Sequence, residues 1–135
     1  MYQWDFSLET GDDKIDSQHR QLIDTINQMT EAHQQGKGKE EIEKTLDFLT
    51  GYTILHFSNE EKMMMDSKYS EYTQHKRYHD EFKETVGNFT QRLANEEITD
   101  DLVNSLIFTL GDWLFRHIKG EDLRMAAYVR TYKSE

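Results

Sequence analysis

Four stretches of this sequence place polar residues where a helix would bury them. One runs Ile42, Leu46, Leu49, Thr53, His56, Glu60, Met63, and the next Tyr72, His75, His79, Phe82, Val86, Phe89, Leu93. A third runs Val103, Leu106, Leu110, Trp113, His117, and a shorter one, Ile15, His19, Leu22, Ile26, Met29, opens the chain. Each steps by threes and fours, the seam of a helix that faces a core. Burying an imidazole or a carboxyl without a partner costs on the order of 1–3 kcal/mol, and an isolated charge costs far more. Five imidazoles and two carboxylates (the seventh residue is Asp122, just past the fourth stripe) therefore need one another. A shared metal centre is the arrangement that satisfies them all.

The spacings fit that reading. Residues four apart on a helix project from one face, about 6 Å apart at Cβ. His75 and His79 can thus hold one ion, and so can His56 and Glu60, with Glu60 free to reach a second. His117 and Asp122 are five apart. In an up-down-up-down bundle, His19 early in the first helix, His56 and Glu60 late in the second, His75 and His79 early in the third and His117 late in the fourth share one end. Seven ligands exceed one tetrahedral zinc site. Imidazole with bridging carboxylate and no thiolate suits iron or manganese in a two-metal centre.

The expected fold is all-α: a four-helix bundle with an extended N-terminal arm and a short C-terminal helix, one domain over residues 1–135. Absent proline and only seven glycines suit long helices with short connections. Residues 1–14 show no helical period, and Trp4, Phe6 and Leu8 alternate with polar residues, as in an arm packed on the bundle. The first helix is expected from Asp16 or Ser17 to about Gln35, where Gly36-Lys37-Gly38 ends it. The second runs from about Lys39 to Met65, the third from Tyr69 or Ser70 to Leu93, and the fourth from a Thr99 or Asp100 cap to Ile118. Gly120 marks a turn, and residues Glu121 to Tyr132 form the closing helix.

The formal net charge of -10 argues against nucleic acid or an anionic membrane as partner. No apolar run approaches the roughly 20 residues of a membrane span, and the acidic N-terminus lacks the features of a secretory signal, so a cytoplasmic location is expected. With no cysteine there is neither a disulfide framework nor a thiolate site.

The motifs that carry the polar residues are Asp16-Ser17-Gln18-His19, His56-Phe57-Ser58-Asn59-Glu60, His75-Lys76-Arg77-Tyr78-His79 and His117-Ile118-Lys119-Gly120-Glu121-Asp122. In this order and over essentially the whole chain the sequence resembles the hemerythrin family, specifically its single-domain bacterial members. One departure is visible: the family often has proline after the tyrosine that opens the third helix, whereas Ser70 follows Tyr69 here. That should loosen the helix start.

The resemblance implies a cofactor of two iron ions joined by an oxo or hydroxo bridge (Fe-O-Fe or Fe-OH-Fe). His75, His79 and His117 would hold one iron, His19 and His56 the other, and Glu60 and Asp122 would bridge them. The first iron would have six ligands and the second five, leaving a position open for dioxygen, with NO and other small anions as further ligands. The implied function is reversible dioxygen binding for storage, delivery or sensing, and not catalysis. The competing functions are a di-iron enzyme acting on peroxide, O2 or NO, and an iron-handling or repair protein. Phe57, Leu114 and Ile118, close to the ligands in sequence, are expected to wall the dioxygen pocket.

Other polar and sulfur-bearing residues read more plainly. His33 is expected to make a surface or helix-terminus contact, Met63-Met64-Met65 to fill core, and Trp113 and Phe82 to lie in the core. Tyr78 is expected in the core, although its place between two ligands brings it near the site. Glu61 is expected on a solvated face, since it points away from the direction of Glu60.

Overall fold

The computed structural model describes residues 2–134. Helix α1 spans Asp13–Gln34, α2 Lys39–Asp66, α3 Tyr72–Asn95, α4 Asp100–His117 and α5 Leu123–Ser134, with no strand among the described residues. Helices α1 to α4 form the bundle, each packed against the next in sequence and α4 against α1. Cross-contacts fix their directions. His33, in the last turn of α1, meets Asp100 in the first turn of α4 at 3.2 Å, which agrees with its expected helix-terminus contact. At the same end Lys39, opening α2, reaches the Ala94 carbonyl late in α3 at 3.4 Å. The four helices therefore alternate up and down.

The interior is divided along its length. Away from the polar residues it is continuous hydrocarbon, with Ile26, Met29, Leu46, Leu49, Val86, Leu93, Leu106 and Leu110 all buried. At the other end the stripes carry the polar cluster. Beyond it a smaller apolar group, Ile15, Met64, Tyr69, Met125 and Val129, seats α5. The Tyr128 hydroxyl ties α5 down by donating to the Ser67 carbonyl at 2.7 Å.

The chain departs from the expected layout at four places. Helix α1 begins at Asp13, three or four residues early, because Asp12 caps it, accepting from the Ile15 N–H at 3.0 Å, while Asp16 turns back to accept from Thr10. Helix α3 begins at Tyr72, without a side-chain cap, after Lys68 takes a left-handed turn at φ 56°. Gly120 makes no break. The backbone passes from α4 to α5 through a π-helical turn, Ile118–Asp122. The arm is not extended throughout, since Asp5 caps a 3-10 turn at Phe6–Leu8.

That turn buries Leu8 and leaves Phe6 86% exposed. Trp4 is half-buried beneath the Arg20 guanidinium, 4.8 Å from the ring centroid. The backbone of Tyr2 pairs with the Asn27 amide in both directions, at 3.0 and 2.8 Å. Of Met63, Met64 and Met65, expected to fill core, only Met64 is fully buried, and Met65 is 56% exposed.

Candidate metal centre

All seven expected residues come together at the α5 end of the bundle, each at most 3% exposed. Helix geometry places six of them. Asp122 arrives by the π turn, because that wider turn brings a residue five positions on back over its starting face. His117 Nε2 and Asp122 Oδ1 are 3.1 Å apart.

The two carboxylates divide their oxygens between two sets of imidazoles. Glu60 Oε1 lies 3.1 Å from His79 Nε2 and 3.7 Å from His75 Nε2, and Asp122 Oδ1 lies 3.0 Å from His75 Nε2. On the other side, Glu60 Oε2 lies 3.2 Å from His56 Nε2 and 3.4 Å from His19 Nε2, and Asp122 Oδ2 lies 2.9 Å from His19 Nε2. Two overlapping groups result, each able to hold a metal ion: Glu60, His75, His79, His117 and Asp122, and His19, His56, Glu60 and Asp122.

The donor atoms fit a metal better than they fit one another. The five Nε2 atoms and all four carboxylate oxygens are buried, and none makes a well-formed hydrogen bond. Unpaired buried polar atoms on this scale are rare in stable proteins. Within each group the atoms lie within 4.8 Å of one another, close enough to share one cation.

The local field is strong. Burial alone would push the Glu60 carboxyl up, but the charge of His56 and contacts from His19 and His75 hold it well below its ordinary value. Burial and the charge of Glu60 act likewise on Asp122, and His117 and His19 overcome them. Burial would lower His19, and Asp122 and Glu60 together raise it to about 10. The same balance brings His75 up to about 9.

Two neighbours of the cluster escaped the sequence reading. Gln18 Oε1 stands 2.7 Å from His56 Nδ1, and Glu61 Oε2 stands 2.9 Å from His79 Nδ1. Glu61 is not on a solvated face, because its side chain is only 13% exposed. An imidazole that coordinates through Nε2 usually has a partner at Nδ1, and that tendency was the available signal, although the buried Nδ1 atoms of His19 and His117 have none.

Aromatic rings pack the three-imidazole side. Phe57 lies flat on His79, with centroids 3.8 Å apart and planes at 4°, and Trp113 stacks on His117 at 4.5 Å. Phe57, Leu114 and Ile118 are all buried, and so is Phe82, whereas Trp113 is half-buried. Tyr78 is also half-buried, 6.2 Å from the His117 ring.

Comparison with known proteins agrees with this geometry. The model of the hemerythrin HHE cation binding domain matches residues 10–129. A bacteriohemerythrin of Pseudomonas aeruginosa (strain LESB58) is 35% identical over 133 residues, 98% of this chain and 84% of the relative. A myohemerythrin of Theromyzon tessulatum is 28% identical over 123 residues, 91% and 89% of the two chains. A crystal structure of wild-type hemerythrin superposes with a TM-score of 0.83 at 25% identity, covering 96% of this chain and 98% of that one.

Proposed function

We propose a function from one premise: the chain belongs to the hemerythrin family. Residues 1–135 act as one hemerythrin-like domain that binds dioxygen reversibly at a non-heme di-iron centre, and it is not an enzyme. The observation that supports this most is the division of the carboxylate oxygens, one of each pair toward His75, His79 and His117 and the other toward His19 and His56. Glu60 and Asp122 would bridge the two ions. Imidazole and carboxylate, with no thiolate, suit iron.

When bound, the iron pair supplies two electrons and a ligand position for a small molecule. The chain supplies the rest. Its two sets of imidazoles are unequal, and the set of two leaves the less crowded ion. Gln18 and Glu61 fix the ring orientations of His56 and His79. Phe57, Leu114 and Ile118 are buried, and they would give the ligand position a hydrocarbon wall without a proton donor, which would disfavour loss of a bound ligand as a charged species.

The test is an optical cycle. Iron-loaded protein is reduced without oxygen, exposed to air, then stripped of oxygen. A visible band that appears and then disappears, with two irons per chain, supports reversible dioxygen binding. A one-way change to a stable oxidised spectrum supports a di-iron enzyme acting on O2, peroxide or NO. Iron lost readily to a chelator supports iron handling.

A further inference from the structure

The two Nδ1 contacts differ in charge. His79, in the three-imidazole group, has the Glu61 carboxylate at 2.9 Å, and His56, in the two-imidazole group, has the neutral Gln18 amide at 2.7 Å. Both partners are sheltered: Gln18 is buried on α1, and Glu61 leans from α2 onto α3. No other hydrogen bond is made by either side chain among the described residues.

From this unequal pairing we infer that Glu61 and Gln18 are positioning residues that set the two ions at different reduction potentials, the ion beside Glu61 being the harder to reduce. The inference rests on the di-iron reading above. A carboxylate that accepts from Nδ1–H draws the proton toward itself and makes Nε2 the stronger donor. A stronger donor favours the more oxidised ion. An amide oxygen orients the ring equally well but leaves donor strength nearly unchanged. The asymmetry places the harder-to-reduce ion in the set of three imidazoles and leaves the set of two, where a small ligand has room, as the readier electron acceptor.

Orientation and charge can be separated by isosteric exchange. Glu61→Gln keeps an acceptor oxygen at His79 and removes the charge. Gln18→Glu adds the charge at His56. Iron-loaded proteins would be titrated spectroelectrochemically, and iron content measured on the same samples. For Glu61→Gln the lower of the two one-electron steps should rise by about tenfold in its equilibrium constant, about 59 mV, with iron content unchanged. For Gln18→Glu the upper step should fall by a similar amount. Glu61→Ala, which loses orientation as well, should also weaken iron retention roughly 10–100-fold.

Potentials that match wild type in both exchange variants, at full iron content, would overturn the inference and leave the di-iron reading standing. If Glu61→Gln lost its iron, Gln18→Glu would decide alone. A wild-type chain that takes up no iron pair would overturn the di-iron reading, and this inference with it.

Discussion

His117 and Asp122 meet at 3.1 Å although they lie five residues apart, a spacing that an α-helix would point about 140° away. The π turn between them absorbs the difference, and helix α5 continues beyond it. The same turn thus sets both the carboxylate and the face that α5 lays on Ile15, Met64 and Tyr69.

One alanine inserted between Gly120 and Glu121 would rotate everything downstream by about 100°. Asp122 would leave the cluster, and Met125 and Val129 would leave their seats. On the proposed di-iron reading, iron content should fall from two per chain to one or none. The cost should be about 3–6 kcal/mol, since each of these two buried apolar side chains contributes about 1.5–3 kcal/mol. Metal analysis and denaturant unfolding check both.

A Cβ at Gly111 would run into the Tyr2 ring, so Gly111→Ala should release the start of the arm. Better helix propensity, worth up to about 1 kcal/mol for Gly→Ala, should offset the lost contacts and leave global stability nearly unchanged. The readout is local. Amide exchange at Tyr2, and of the Asn27 side chain that pairs with it, should quicken while the bundle interior keeps its protection.

Phe57 fills the space against His79 and also meets Phe82 and Trp113 ring to ring. Phe57→Ala should cost about 3–5 kcal/mol by calorimetry or denaturant. Ile118→Ala, a smaller loss in the proposed pocket wall, should quicken one-way oxidation of the reduced protein several-fold. The decay of the visible band would follow it.

Tyr69 carries a pH signature. Burial, reinforced by its hydrogen bond to Glu71 at 3.1 Å, pushes the phenol up to about 12 from an ordinary 10. Between those values the folded chain keeps a proton that the unfolded chain has lost. Its contribution is therefore complete below about pH 10 and declines as pH rises toward about 12. Tyr69→Phe should flatten the alkaline fall in unfolding free energy, and phenolate absorbance of the folded protein should lose its latest-titrating component.

The helices were legible because their apolar residues keep one period across 15 to 22 positions, and the seven polar residues stood out against it. The ends were less legible. Asp12, Asp16 and Ser17 are all competent caps, and only the chain path before Ile15 selects Asp12. A glycine at 120 reads as a stop, whereas the backbone uses it inside a widened turn. Glu61 was misread for a reason of the same kind. Helical angle alone turns it from the core, but its side chain is long enough to reach His79 on α3, a reach that periodicity does not record. Gln18 lies one position before His19 in the ligand motif, and nothing in the sequence tells which ring nitrogen its amide will face.

The lengthwise division of the interior gives the molecule a grain. One end is a dry seam that closes by its own hydrocarbon, and the other is held by polar atoms drawn from α1, α2, α3, α4 and the π turn. A cation there would work as a rivet through α1 and the π turn, uniting segments about a hundred residues apart in the chain. Withdrawn by a chelator, it would leave the dry end zipped while the riveted end breathes. Hydrogen exchange along α2 should then run as a gradient, slow near Leu46 and Leu49 and quickening toward Glu60.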